Sequence, residues 1–536
     1  WKRAGVAAVG DSDDYTIAGG AGVDYVRFAQ QYLKNAGGKP YEREIFGRLG
    51  DILFQGAKNQ GAIAGLQIAI DLAPNHPDSP KLQEKIVQAF ERERMFDKAS
   101  EARQVLVSRY SEGTAWALAN RTNRGALKTA ADLARISLYK AAIFHHQNAN
   151  RLFEQGQEDL GVRAYQAASI AYEEYLNRYP HDKDAYDLTF YLAESYYYSL
   201  RFADALVQYE KVRDSTQGDQ YRKESALNSV YSYEKVIEQA VADGKMPSKE
   251  LFTGAPPGVD GKPEEIPELR AAYAKAIDRF LEISPEHEMA AAFAYRVAAI
   301  FYSYGYYDDA VKRFEDIIGK YPQHQAAKFS ANLILDYMLA KKDWQKAATY
   351  AKRFQQDAVG GGGLAEFAKI EGGARFEIAK GVLEKGDKDL QEGRISDGLA
   401  ALEEGANAYL QLLSEDPKRE FADAMLYNAA LSLEKARRPA RAAELYERLY
   451  KEYPKSSFAA ESMFRVASKS EQSFNFDKAV QTYLQLVTTY PESDKRADAQ
   501  LNAALALEGQ QKYLQAAKEF QRFADLFPER SEAAEV

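Results

Sequence analysis

Cysteine is absent from the 536 residues. That excludes disulfide stapling, thiolate nucleophiles and cysteine-ligated zinc, and it leaves the compartment open. No run of 18 apolar residues occurs, so no segment reads as a membrane-spanning helix. Catalytic signatures are missing as well: there is no HExxH, no GxxxxGKS/T, no GxSxG, and no GxGxxG in a strand context. Positive charge is in deficit, with 70 Lys and Arg against 79 Asp and Glu. The net charge of -9 weighs against a general binder of nucleic acid or anionic membrane. The chain opens WKRAGVAAVGDSDDY without an initiator Met, which reads as a mature or trimmed product that has lost any signal peptide or lipidated cysteine.

Histidine is scarce, at six residues. His145 and His146 are adjacent on a predicted helix, so they point about 100° apart and cannot share one ion. His181, His287 and His324 follow Pro180, Pro285 and Pro322 by one or two residues, which places them at turns. The acidic stretch GDKDLQEGR lacks the alternate spacing and central glycine of a calcium loop. No catalytic residue, metal site or cofactor is assigned. Tyrosine, by contrast, reaches 36 residues against six Met and three Trp. Its apolar body and polar tip suit partly wet helix seams and surfaces that grip partners.

What is present in quantity is repetition. Between Phe421 and Pro528 the phrases LYERLYKEYP, VQTYLQLVTTYP and AKEFQRFADLFP follow one another. Ala442, Ala479 and Ala516 are 37 residues apart, as are Tyr446, Tyr483 and Phe520, and Pro454, Pro491 and Pro528. A period of this size marks a solenoid of helical hairpins. The small residue lets two antiparallel helices approach, the aromatic one turn later fills the gap beside the next hairpin, and the proline stops the second helix.

The same phrase recurs upstream. Phe96, Ala99 and Tyr110 keep its offsets, Ala168 and Ala205 are again 37 apart, and Ala276 and Ala310 are separated by 34. Six segments result. Residues 1–40 are a Gly-rich N-terminal segment; 41–241 are a first solenoid section with a looser helical segment at 115–158. Residues 242–268 are a Pro/Gly loop insertion, and 269–355 are central repeats. Residues 356–395, with glycines at 360–363 that do not fit cheaply inside a helix, are a break or hinge. Residues 396–536 are C-terminal repeats.

With Ala298, Gly305, Ala310, Phe314 and Pro322 in step, the chain resembles the tetratricopeptide repeat. Its 37-residue variants ending in Tyr-Pro resemble the subset in bacterial periplasmic and outer-membrane-associated proteins. The family's first-helix Trp is absent, and its Gly is replaced by Phe474 and Gln511. The resemblance implies an all-α fold, a right-handed superhelical solenoid of helical hairpins, with helices of about 12–18 residues. It also implies a concave groove lined by first helices. One groove position carries Phe190, Tyr295, Tyr427, Phe464 and Leu501, and a neighbouring one carries Glu194, Ala299, Leu431, Ser468 and Leu505. The row of Lys, Arg and Asn that clamps a C-terminal carboxylate is missing. The expected occupant is therefore an extended or helical protein segment, and Phe190, Tyr295, Tyr427 and Phe464 are the candidate protein-binding residues. The competing reading of these rings is packing against the next hairpin.

The functional expectation is a non-enzymatic protein–protein scaffold or adaptor of a multiprotein envelope complex, in assembly, transport or motility. Its partners would be other envelope-complex proteins, with peripheral or anchored membrane association and no nucleic acid. Its place would be the periplasm or outer membrane, with the cytoplasm as the alternative. A glycan-binding module would instead show exposed Tyr or Trp platforms beside Asp, Asn or Arg. An enzyme would need the insertions at 242–268 or 356–395 to close a pocket.

Overall fold

The structure, a computed structural model, describes residues 22–249, 254, 256, 258–361 and 364–534. Of the segments anticipated from sequence, residues 1–21, residues 250–253, 255 and 257 of the insertion, the glycines at 362 and 363, and residues 535–536 lie outside the described residues. Among the described residues there are 24 α-helices and no strand, and no helix is long and apolar enough to cross a membrane.

The chain divides into two compact units. The first ends at Lys249 and resumes over Pro267–His287; the second takes residues 288 onward with the intervening loop. Each unit is a file of helical hairpins in which a helix packs on the one that follows it in sequence. In the first unit the hairpins run from Glu42–Gln55 with Asn59–Leu72 to Arg222–Ala242 with Glu268–Ile283. In the second they run from Ala290–Ser303 with Tyr307–Lys320 to Arg496–Gly509 with Tyr513–Leu526.

The repeat alanines sit where the period demands. Ala99, Ala168, Ala205, Ala310, Ala347, Ala442 and Ala479 are 0% exposed, so any larger side chain would push the two helices apart. Neighbouring hairpins are stitched by polar contacts about one period apart. Tyr453 Oη donates to the carbonyl of Pro417 at 2.7 Å, and Tyr490 Oη donates to that of Pro454 at 3.2 Å. Lys478 pairs with Glu447, and Lys512 with Asp477.

The turn between the helices of a hairpin needs a left-handed residue. Gly305 supplies it at φ 84°, but Leu200, Phe474 and Gln511 take the same conformation at 65°, 62° and 62°. At Phe474 the turn is closed by its own N–H to Glu471 O and by Asn475 N–H to Ser470 O, each 2.8 Å, the paired bonds of a Schellman motif. These bonds to the end of the first helix hold a bulky residue in a conformation that it disfavours.

Several segments differ from the regular expectation. Arg124–Glu154 spans 31 residues and Leu364–Gln391 spans 28, well beyond the expected helix length. Neither stretch contains a proline, so nothing stops the helix at the usual turn. Much of the segment read as a break at 356–395 is therefore helix inside the second unit. Gly360 and Gly361 do adopt left-handed conformations, at φ 70° and 68°. Described residues of the insertion at 242–268 lie against the second unit: Tyr302 and Tyr307 donate to the carbonyls of Gly254 and Gly258, and Glu264 N–H bonds Tyr304 O.

Candidate binding surface

The four rings anticipated for the groove share one structural seat. Each lies on a first helix and packs on the aromatic four residues after the repeat alanine, on the second helix of its own hairpin. The centroid separations are 6.1 Å for Phe190–Tyr209, 5.9 Å for Tyr295–Phe314, 5.8 Å for Tyr427–Tyr446 and 5.4 Å for Phe464–Tyr483. Phe190 is a correction to the groove set. Tyr221 stacks on it at 4.1 Å and 4°, leaving it 3% exposed, so it is a core residue. Tyr295, Tyr427 and Phe464 keep partly exposed faces, although Phe458 stacks on Tyr427 at 4.6 Å.

The neighbouring position, eleven residues before the repeat alanine, is more informative chemically. Ala299 is buried there, Leu505 is exposed, and Leu431 and Ser468 are intermediate. Glu194 is different. It lies half-buried on Ala185–Tyr198 with Tyr191 and Tyr198 on the same helical face. Its Oε2 is 3.9 Å from His146 Nε2. The His146 ring is boxed by Tyr165, Tyr172 and Tyr191 at 5.3, 5.9 and 5.5 Å. Burial drives His146 down to about 4, so it is neutral near pH 7 and gives Glu194 no counter-charge. Burial, with the like charge of Glu224, pushes Glu194 up to about 7.

The second unit repeats the motif at Asp336, which also stands eleven residues before its alanine, Ala347. Burial and Glu366 raise its carboxyl above the usual range. Glu224 follows Glu194 by 30 residues, and Glu366 follows Asp336 by 30. On the same helical face as Asp336, Asn332 keeps a buried Oδ1 without a hydrogen-bond partner, and Phe329 is 44% exposed. Asp336 and His146 were not singled out as groove residues from sequence. A carboxylate on an amphipathic helix looks ordinary until its neighbours from other helices are known.

The turn histidines act locally. His324 Nδ1 accepts from Ala326 N–H at 3.0 Å, capping the helix that follows, and His76 Nδ1 accepts from Asp78 N–H at 3.1 Å. An open hollow of about 580 Å³ in the first unit is lined by Asp219, Arg222, Lys223, Arg279 and Glu282 among others. It carries charges of both signs, and Arg279 is already beside Asp214 at 3.7 Å.

Residues 423–456 and 498–530 match the tetratricopeptide-repeat family model. No curated protein sequence matches the chain. Among solved structures, the chain is similar to yeast Tom70, with 14% identity over 97% of this chain and 99% of that one, at a TM-score of 0.22. It is also similar to the P58(IPK) TPR domain, with 10% identity over 88% and 99% at 0.20. A third is the TPR2AB domain of yeast Sti1 in its pHSP90 complex, with 12% identity over 63% and 100% at 0.24. Likenesses at scores this low carry no inference about function.

Proposed function

We propose, from the premise that the chain is a tetratricopeptide-repeat protein, that it is a non-catalytic adaptor of a multiprotein complex in a bacterial envelope. The coarser statement, a protein–protein interaction scaffold, rests on the repeats themselves. Hairpins stacked in file turn a long row of first-helix side chains to one side, a layout that suits an extended or helical segment better than a small substrate. The observation that carries the reading is the set of partly exposed rings, Tyr295, Tyr427 and Phe464, held by rings behind them. Rigid aromatic anchors supply a large share of interface energy. The envelope setting is supported by the resemblance of the 37-residue, Tyr-Pro-ended repeats to those of periplasmic and outer-membrane-associated proteins.

The test is chemical cross-linking and co-purification from fractionated cells, read by mass spectrometry. Wild type is compared with Phe464→Ala and with Leu431→Lys, which alters the groove without removing a packed ring. The expected result is partners from the envelope fraction, depleted in both variants while their circular dichroism is unchanged. Recovery of the same partners at the same yield from both variants would remove this groove from the account. A chain found solitary in the cytoplasm would sink the adaptor and its setting together.

A further inference from the structure

We propose that the carboxylate eleven residues before the repeat alanine, Glu194 in the first unit and Asp336 in the second, is a seat for a lysine or arginine side chain on the bound partner segment. The inference rests on the scaffold reading and specifies the chemistry of what the groove accepts.

The starting point is how other half-buried carboxylates of this fold are treated. Glu434 accepts from Lys469 at 2.7 Å, from Arg465 at 3.0 Å and from Tyr446 Oη at 3.2 Å. The two cations come from the first helix of the next repeat. Burial alone would raise this carboxyl, but those partners outweigh it and hold it below its ordinary range. At Glu194 and Asp336 the next first helix supplies Glu224 and Glu366 instead. Among the described residues no Lys or Arg pairs with either carboxylate. Glu194 has only His146 at 3.9 Å, and that ring is enclosed by three tyrosines. In the second unit Asn332 Oδ1 adds an acceptor with no donor.

The two places therefore share a composition. A half-buried carboxylate is accompanied by an exposed one on the next first helix, and aromatic rings share its helical face: Tyr191 and Tyr198 in the first unit, Phe329 in the second. The carboxylates and Asn332 Oδ1 are acceptors, and the rings add π faces. A guanidinium or ammonium satisfies both, pairing with the carboxylates and lying over the rings. A hard divalent cation requires six or more oxygen ligands, and no group of three metal-binding side chains exists among the described residues. Phosphate backbones and acidic segments would be repelled. A cation carried on a polypeptide is the occupant that fits.

The experiment uses the full chain and a fluorescein-labelled amphipathic Leu/Lys 15-mer, with the same peptide acetylated on every lysine as its uncharged counterpart. Fluorescence anisotropy is measured for wild type, Glu194→Gln, Asp336→Asn and Glu286→Gln, the last an exposed turn residue that controls for net charge. Wild type is expected to prefer the lysine peptide by about tenfold. Glu194→Gln and Asp336→Asn should each reduce that preference about fivefold, and Glu286→Gln by less than about twofold. The substitutions preserve side-chain shape, and circular dichroism verifies the fold of each. Equal preference in wild type and both seat variants overturns the proposal. If those variants also leave recovery of cross-linked cellular partners unchanged, the cationic seat is refuted while the scaffold reading stands. A chain that captures no partner at all takes both down.

Discussion

Glu434 and Glu194 lie on first helices of different units, eight and eleven residues before their repeat alanines. Each is half-buried on a first helix, with tyrosine beside it and the next repeat across from it. One is held below the normal carboxylate range, while the other is driven up to about 7. Burial raises both, so burial does not separate them. What separates them is the residue that the following repeat presents: Arg465 and Lys469 in one case, Glu224 in the other. In a stacked array a side chain's environment is half its own repeat and half its neighbour's. Two half-buried carboxylates at different points of the repeat, Glu434 eight residues and Glu194 eleven residues before its alanine, thus meet different side chains of the next first helix.

The comparison is broken most forcefully by disturbing the seam that keeps Glu434's cations in place. Ala479→Leu should overpack the hairpin behind helix Ala459–Gln472 and destabilise the chain by about 1–3 kcal/mol in urea melts. Ala516→Leu should be milder, because its helix is poorly covered: Tyr513 and Leu514 are 63% and 84% exposed. Equal losses at the two sites would contradict the packing described.

Next in size is Glu194→Gln. A carboxyl whose folded value lies above its unfolded one favours folding less as pH rises from about 4.5 through about 7. The variant should be more stable than wild type at pH 8, by roughly 1–2 kcal/mol, and indistinguishable from it at pH 4. The same difference at both pH values would mean that the ionised carboxylate is not the source. Glu434→Gln should behave in the opposite sense. Its depressed carboxyl stabilises the fold above its unfolded value, and that contribution disappears as pH falls through the folded one. The loss near pH 7 should be roughly 0.5–1 kcal/mol, since water partly screens the site. The smallest effect is expected at Phe474→Gly, which relieves a left-handed bulky residue at the cost of chain entropy. A gain of roughly 0.5 kcal/mol in the same melts would show that the turn is strained.

The sequence made the hairpins legible because a period needs only spacing. Alanines with no room around them, rings four residues on and prolines at the stops all announce themselves. It did not reveal that Tyr221 covers Phe190, because that contact belongs to the entry of the following helix. Nor did it show that the helices at 124–154 and 364–391 run straight through, since the absence of a stop is a weaker signal than a proline. Glu194 was visible as a groove position, but its isolation from any cation depends on Glu224 and His146, on two other helices. Residue types at one position predict packing; the company they keep decides their charge.

The bond from Tyr453 to Pro417, followed by that from Tyr490 to Pro454, turns each Tyr-Pro pair into a link in a chain. The tyrosine reaches back to one repeat, and the carbonyl beside it is reached by the next. A single inserted residue would swing such a tyrosine by about 100° around its helix and out of reach, whereas a whole added period returns it to the same place. The linkage thus works as a ruler: it tolerates growth or loss of the array in complete units and penalises every length between. Copying errors that respect the ruler keep these bonds in register, so the array can change length one hairpin at a time.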